Sequence, residues 1–404
     1  MLSATLCVVA GMFAMQEAAP VAAPVAAPLA APPSVDECIR IGAERVLVME
    51  EAQGEWPYEG VYRVRGEIPM GYRIGGTGIC AQMLLAAPAA DNAKRDAAIA
   101  RAAEFVCSGI TQPDMSIDDY SGGYDVRAWG YCYGAKFLLA LRAAQAVPAG
   151  AEGKVDAALR WYLAALQKIE IPQVGGWNYA RQSGAEAPSP ASPFMTAPCL
   201  LTLFEARAQG FEVDSAVVER GLTALERCRS ESGNVAYSSK DQNKEGTKSV
   251  PGATGRMTAT ESALYMAGRS DAARLRGAVE AFIAHWDELE KRRAKPGTHA
   301  APYGVAPYYF YYAHLAAAQA VELLPEAERA PLRERLFELL LRTRSAEGTW
   351  DDRVFPRTAN FGTATAVNSL LLPKLPRGAG WPSNAAAENS KDSTAASGPV
   401  SPRG

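Results

Sequence analysis

The sequence predicts an all-α protein built as an (α/α)6 toroid, in which six outer helices surround a closed ring of six inner helices. Between residues 34 and 376, an amphipathic helix, a loop with glycine and an aromatic residue, and a helix of small apolar residues follow one another six times. The second helix of each unit carries few charges, which is typical of an enclosed helix. The alternating polarity of half-buried strands is essentially missing.

The predicted outer helices carry apolar residues at three- and four-residue spacing on one face and Arg, Lys and Glu on the others. They cover residues 35–51, 93–110, 154–169, 214–230, 272–291 and 331–344. The predicted inner helices cover residues 76–87, 128–144, 195–209, 257–267, 307–323 and 361–372. An open solenoid of helix pairs is the alternative. The loop aromatics are 47 to 68 residues apart, which is irregular and longer than the roughly 34–47 residues of common helical solenoids, so the toroid is favoured.

The two ends of the chain differ in composition from the body. Residues 1–17 begin with an apolar stretch of the length of a signal-peptide core, and a disordered or buried apolar N-terminus is the alternative. Residues 18–33 form an Ala/Pro-rich linker, because proline at every fourth position forbids a helix. Residues 377–404 are small, polar and aperiodic, as in a disordered tail. We therefore expect an exported protein, periplasmic or extracellular, whose toroid covers residues 34–376.

Composition excludes two classes of partner. The formal net charge is −3 and no basic stripe is present, which argues against a nucleic-acid partner. No stretch after the N-terminal segment approaches 18 apolar residues, so no transmembrane segment is expected in the mature chain. Apart from Cys7, six cysteines remain. They are compatible with disulfides or with buried thiols, and their spacing selects neither.

Three loops carry a recognisable motif. Gln53-Gly54-Glu55-Trp56, Gly175-Gly176-Trp177 and Glu347-Gly348-Thr349-Trp350 resemble the loop motif of the prenyltransferase/squalene-cyclase repeat family. The resemblance covers about 340 residues in six units and implies the α/α toroid of terpenoid cyclases and protein prenyltransferases, with a single domain similar to the C-terminal domain of squalene-hopene cyclase. The motif residues themselves predict structure: glycine permits the turn, and tryptophan buries a large ring whose N–H needs a partner.

The chemical motifs of that family are not matched. The resemblance implies an Asp-x-Asp-Asp acid for cyclases, and the nearest run ends at Asp118 and Asp119 with Ser116 at the first position. For prenyltransferases it implies zinc ligands that include Asp-x-Cys, found here only at Asp36 and Cys38, without a histidine nearby. We therefore predict no metal and no cofactor.

Candidate catalytic groups remain in the loops and in one inner helix. The acids lie where loops meet inner helices or within an inner helix: Asp119, Asp125, Glu261, Asp351 and Asp352. Glu261 stands out because a carboxyl inside an enclosed helix must be paired or have a shifted pKa; a structural hydrogen bond is the alternative. Candidate ligand contacts come from the fifth inner helix: Tyr308, Tyr312 and His314. Their alternative is a bulky packed barrel centre with a satisfied core histidine.

These observations favour a non-catalytic binding or scaffolding protein of the cell envelope, because the repeat is intact and no convergent catalytic set is evident. Its partner would be a small molecule, a lipid, a glycan or another protein. The alternative is an enzyme that uses carboxylates at the mouth of the toroid, either terpenoid-cyclase-like or polysaccharide-degrading.

Overall fold

A computed structural model describes residues 33–118, 126–179, 184–240, 250–297 and 299–382. Contacts divide the chain after Ser34, and the unit from Val35 onward contains every helix described. The predicted signal peptide and nearly all of the predicted linker lie outside the described residues.

Six helix pairs follow one another along the described chain. The outer helices are α1 (Val35–Val48), α3 (Asn92–Ser108), α5 (Glu152–Lys168), α7 (Ser215–Cys228), α9 (Ala272–Ala284) extended by the short α10 (Trp286–Glu290), and α12 (Glu326–Leu341). The inner helices are α2 (Met70–Ala86), α4 (Arg127–Ala143), α6 (Pro193–Ala208), α8 (Val250–Met266), α11 (Phe310–Leu323) and α13 (Ala359–Leu371).

The inner helices form a closed ring. Each contacts the next inner helix, from α2 through α4, α6, α8 and α11 to α13, and α13 packs back against both α1 and α2. Residues pair as isolated bridges at four places, and no strand occurs among the described residues. The prediction of an all-α toroid is confirmed, and the packing of α13 onto the first unit excludes the open solenoid.

Small residues allow the inner helices to approach closely. In α13, 11 of 13 residues are buried, whereas α12 buries only three leucines. Between α2 and α4, a Cβ placed on Gly78 would lie 2.4 Å from the Tyr133 carbonyl oxygen. A side chain there would force the two helices apart, so glycine is required by the packing.

The three motif tryptophans form equivalent anchors between their helices. Each is fully buried and donates its indole N–H to a carbonyl near the end of the preceding outer helix, at 2.6 Å for Trp56, 2.8 Å for Trp177 and 3.1 Å for Trp350. Each backbone N–H is donated at 3.0 Å to a threonine hydroxyl of the following inner helix. In the first of these loops, Gly54 lies two residues before Trp56. Its φ of +78° is the left-handed conformation that the turn needs.

Several boundaries differ from the sequence prediction. Helix α2 begins six residues before the predicted position 76. Helix α8 begins seven residues before the predicted position 257. Helix α12 begins at Glu326 with Pro331 inside it, because acidic residues in its first turn and an Arg329 side chain bonded to the Leu324 carbonyl support an earlier start. Residues 377–382, placed in the tail by the sequence, pack against the body: Trp381 is buried beside Phe204. Residues 383–404 lie outside the described residues.

Candidate ligand-binding site

An aromatic cavity opens where the loops meet the inner helices. Ten aromatic side chains from the loops and from inner helices line it: Tyr58, Tyr62, Tyr72, Trp129, Tyr133, Tyr179, Phe194, Tyr308, Tyr312 and Phe361. Gly60, Val61 and Arg353 complete the wall. Its open volume is about 60 Å³, larger than the roughly 30 Å³ of one water and smaller than the roughly 300–1,000 Å³ of drug-sized sites. It therefore has room for a compact apolar group.

The rings of one wall hold each other in fixed orientations. Tyr58 lies edge-on to Tyr72 at 5.1 Å between ring centroids and tilted against Phe361 at 4.7 Å. Trp129 contacts Tyr72 edge-on at 5.5 Å and Tyr133 at 5.0 Å. Such edge-to-face contacts are the favoured geometry of aromatic pairs. This wall therefore presents a preformed apolar surface whose rings need no rearrangement to contact a ligand.

Two acids, Asp351 and Asp352, lie in the loop after Trp350, directly before the cavity-lining Arg353. Asp351 is half-buried, and one of its carboxylate oxygens accepts hydrogen bonds from the Thr358 hydroxyl at 2.7 Å and the Arg353 backbone N–H at 3.0 Å. Asp352 is fully buried, and neither of its carboxyl oxygens has a hydrogen-bond partner among the described residues. Burial, reinforced by Asp351, raises the pKa of Asp352 well above its usual range, and Arg353 only partly opposes this.

Asp352 also influences the aromatic wall. Burial raises the pKa of the Tyr58 hydroxyl well above its usual range, and the nearby Asp352 adds to that rise while Arg353 opposes it. Tyr58 lines the cavity, whereas Asp352 does not. The acid therefore lies near the cavity wall, and Tyr58 is the lining side chain that it affects.

Arg353 brings a cation into the aromatic wall. Only 4% of the residue is exposed, and its guanidinium lies 4.9 Å from the Phe355 ring centroid and 5.7 Å from that of Tyr308. Among the described residues its Nε has no partner, and an Nη contacts the Gly297 carbonyl at 3.5 Å. Arg256, buried nearby, lies over Phe194 and Tyr237 at 5.6 and 5.5 Å. Arg353 thus places a cation on the cavity wall.

Glu261 lies elsewhere and has a structural role. It is 1% exposed in α8, and one carboxylate oxygen accepts hydrogen bonds from Arg229 at 3.2 Å and from the Ser270 hydroxyl. Arg229 follows α7 and Ser270 precedes α9, so the contact ties α8 to its neighbours. Glu261 is not among the residues that line the cavity. These contacts favour a structural hydrogen bond, which was the alternative to a catalytic role for Glu261.

Two of the three predicted ligand-contact residues line the cavity, and the third does not. Tyr308 and Tyr312 both lie on the cavity wall. His314 does not: it is buried and accepts the Trp286 indole N–H at its Nε2 at 2.8 Å. Burial lowers the pKa of His314 to about 3, so its ring is neutral. His314 is thus a satisfied core histidine. The remaining acids, Asp119 and Asp125, lie outside the described residues.

A second, polar cleft lies at the seam where the last unit meets the first. It has a volume of about 410 Å³ and is lined by glutamates and arginines. Arg357 pairs with Glu51, at 2.5 Å, and with Glu59, while Arg73 pairs with Glu55. The Arg357 carbonyl also accepts the Glu59 backbone N–H at 2.8 Å. The Arg357 contacts therefore join the last unit to the first across the seam.

No metal site or membrane span emerges from the described part of the chain. Clusters of three or more His, Cys, Asp or Glu side chains with metal-binding geometry do not occur there. Within the same residues, every helix is too short or too polar to cross a bilayer. The six described cysteines are buried and unbridged.

Sequence reasoning did not identify several residues of the cavity wall. Arg353 directly follows the Asp351-Asp352 pair, yet a lone arginine in a loop carries no signal of burial. Tyr58 and Trp129 come from the first and second units, and only the closed ring brings them near Phe361 of the last unit. The sequence could have indicated Tyr58, because this residue lies two positions after the first motif tryptophan and therefore at the predicted mouth of the toroid.

Solved structures share this fold. A type II terpene cyclase, MstE from Scytonema, matches 84% of this chain and 98% of its own length at 17% identity and a TM-score of 0.50. A variant of that cyclase in complex with geranylgeranyl dihydroxybenzoate (substrate) matches the same shares at 18% identity and a TM-score of 0.50. A glycosidase variant matches 84% of this chain and 96% of its own at 12% identity and a TM-score of 0.51.

These similarities establish a terpenoid-cyclase-like α/α toroid. At such low identities they concern the fold alone, because one fold hosts many functions. No protein-family profile and no curated protein matches the chain.

Proposed function

We propose that this protein is an exported toroid that binds a compact apolar ligand in the aromatic cavity at its mouth. The observation that carries the proposal is the cavity itself, where ten aromatic side chains surround open volume instead of closing it. Protein interiors are ordinarily packed without voids larger than a water molecule. A preformed apolar concavity with a few polar groups is the usual form of a small-molecule site.

Charge distribution supports binding here over the polar cleft. In the cleft, Glu51, Glu55 and Glu59 each have an arginine partner. On the cavity wall, the Arg353 guanidinium has no ion pair among the described residues, and its Nε has no hydrogen-bond partner there. Buried polar groups without partners are costly, so they are expected where a ligand completes the contacts.

A calorimetric titration with p-cresol and 3-methylbut-2-en-1-ol tests the proposal. In Val61→Trp, a bulky ring on the cavity wall should reduce affinity for both probes at least tenfold. Val354→Trp is the matched control, because Val354 is 55% exposed on the neighbouring loop and does not line the cavity. Absence of binding to the wild type, or equal binding by wild type and Val61→Trp, would overturn the proposal.

A second candidate function is acid-initiated chemistry on an unsaturated ligand, with Asp352 as proton donor. The observation that favours it is the buried Asp352 carboxyl, which is unpartnered among the described residues and directly precedes the cavity-lining Arg353. Its raised pKa favours the protonated form, which can donate a proton. The proton would add to a carbon–carbon double bond and a proton would later leave the cation, giving an isomer of the substrate. Aromatic faces stabilise cations.

Incubation with 3-methylbut-2-en-1-ol and analysis for an isomer of unchanged mass tests this second candidate. Wild type should form product and Asp352→Asn should not. Product formed equally by both proteins, or none from wild type that binds the alcohol, would exclude Asp352 as the acid while leaving ligand binding intact.

Export is the part of the proposal that rests on residues 1–33. The apolar start and the Ala/Pro-rich spacer support it. Mass spectrometry of the protein from the producing cell should find an N-terminus after residue 14, in the exported fraction. Intact residues 1–17 in protein from the cytoplasm would contradict it.

A further inference from the structure

We infer that the cavity's ligand carries a carboxylate, which Arg353 binds while the aromatic wall holds an adjoining apolar ring or short unsaturated chain. This inference rests on the proposed binding function and assigns the chemical class of the ligand. It begins from Arg353, the one charged side chain that lines the aromatic cavity among the described residues.

No carboxylate of the described residues lies within ion-pair distance of the Arg353 guanidinium, although Arg353 lowers the pKa of both neighbouring acids against the larger rise caused by burial. Of the two carboxyl groups next to it in the chain, Asp351 is held by Thr358 and by the Arg353 backbone rather than by the guanidinium. Asp352 is deeply buried with both oxygens unpaired, and its raised pKa favours the neutral form. A cation that is 4% exposed with an unpartnered Nε is costly unless an anion joins it.

The sign of the charge on the wall disfavours a cationic ligand. An ammonium group in the cavity would be repelled by the Arg353 guanidinium, whereas an anion would be attracted to it.

Geometry favours a carboxylate in particular. A planar guanidinium presents parallel N–H donors that match the two oxygens of a carboxylate. The Phe355 and Tyr308 rings flank the Arg353 guanidinium at 4.9 and 5.7 Å, which limits the directions from which an anion can reach it. With about 60 Å³ of open volume, the enclosed part of the ligand is compact. A short apolar acid satisfies these conditions.

The test compares matched probes, benzoate with benzamide and trans-cinnamate with cinnamamide, by calorimetric titration. Each pair has nearly the same shape and differs in charge. Wild type should bind each carboxylate at least tenfold more tightly than its amide. Arg353→Gln should lose that preference and still bind the amides, and Arg353→Lys should keep a reduced preference because the charge remains without the planar fork.

Arg357→Gln is the matched control on the same loop, because Arg357 lies in the polar cleft and pairs with Glu51. It should keep the wild-type preference. Amides bound as tightly as carboxylates by the wild type, or a preference that survives in Arg353→Gln, would overturn the inference while leaving the cavity as a binding site. Failure of the wild type to bind any of the four probes, together with p-cresol, would overturn both.

Discussion

Glu261 and Asp352 are two fully buried acids in the same toroid with opposite surroundings. Glu261 sits in an inner helix and is held by Arg229 and Ser270. Asp352 follows a tryptophan anchor, is equally buried, and has no partner on either oxygen. Burial alone therefore does not identify a functional acid. What separates the two is whether the protein supplies any partner: one oxygen of Glu261 is held by Arg229 and Ser270 while its Oε1 has no partner, whereas neither oxygen of Asp352 has one among the described residues.

The same contrast holds for arginines. Arg229 and Arg357 have carboxylate partners within 4.0 Å, whereas Arg353 has none among the described residues. Groups paired within the chain hold neighbouring units together. Arg353, which has no such partner and lines the aromatic cavity, is available to a ligand.

The largest expected effect is the loss of Glu261. Glu261→Leu should lower the free energy of unfolding by about 3–5 kcal/mol, because it leaves the Arg229 guanidinium unpaired at a largely buried position. Denaturant unfolding measures the change. The double variant with Arg229→Leu should recover part of the loss. A single variant within about 0.5 kcal/mol of wild type would contradict the structural role.

Asp352→Asn should have the opposite effect at neutral pH. Its raised pKa means that the folded protein favours the protonated carboxyl, whereas the unfolded chain holds the carboxyl ionised at pH 7. The asparagine variant avoids this cost and should gain about 1–2 kcal/mol of unfolding free energy at pH 7. The gain should shrink as pH falls toward about 3.9, where the unfolded chain is also protonated. If Asp352→Asn were less stable than wild type at pH 7, the prediction would be contradicted, because the Asp352 carboxyl would then have a stabilising partner in the folded protein.

His314 is a third buried titratable residue. Its ring is neutral and accepts a hydrogen bond from the Trp286 indole N–H. Its pKa of about 3 lies below the usual value of about 6.5, so the unfolded chain binds the extra proton first as pH falls. Wild type should lose about 1.4 kcal/mol per pH unit below pH 6.5 relative to His314→Gln. Unfolding series at pH 7.5 and 5.5 measure this difference. A constant difference between the two proteins would show that His314 does not titrate as described.

The smallest effect belongs to a hydroxyl on the cavity wall. Tyr312 donates to the Phe194 carbonyl at 3.4 Å, which is long for a hydrogen bond. Tyr312→Phe should therefore change stability by about 0.5 kcal/mol or less, and affinity for p-cresol should change less than twofold. A loss of more than about 2 kcal/mol would mean that Tyr312 supports the fold instead of only lining the cavity.

The fold could be predicted because its signals are local and repeated. The small residues of α13 and the tryptophans of three loops specify enclosed helices and their anchors within single units. The site could be predicted only in part. Tyr308 and Tyr312 were identified from their helix, but Arg353 depends on burial, and the contact of Tyr58 with Phe361 depends on closing a ring across about 300 residues. Glu261 was noticed for its burial, and its partners came from two other segments of the fold.

We expect Asp352 to be a neutral carboxyl, unpartnered among the described residues, and Glu261 to be an ion-paired carboxylate within helix α8. Infrared difference spectra of wild type minus Asp352→Asn and wild type minus Glu261→Gln, recorded at pH 7, test it most directly. The first spectrum should contain the carbonyl stretch of a protonated carboxyl group, and the second the paired bands of a carboxylate. A carboxylate signature in the Asp352 spectrum would contradict the account.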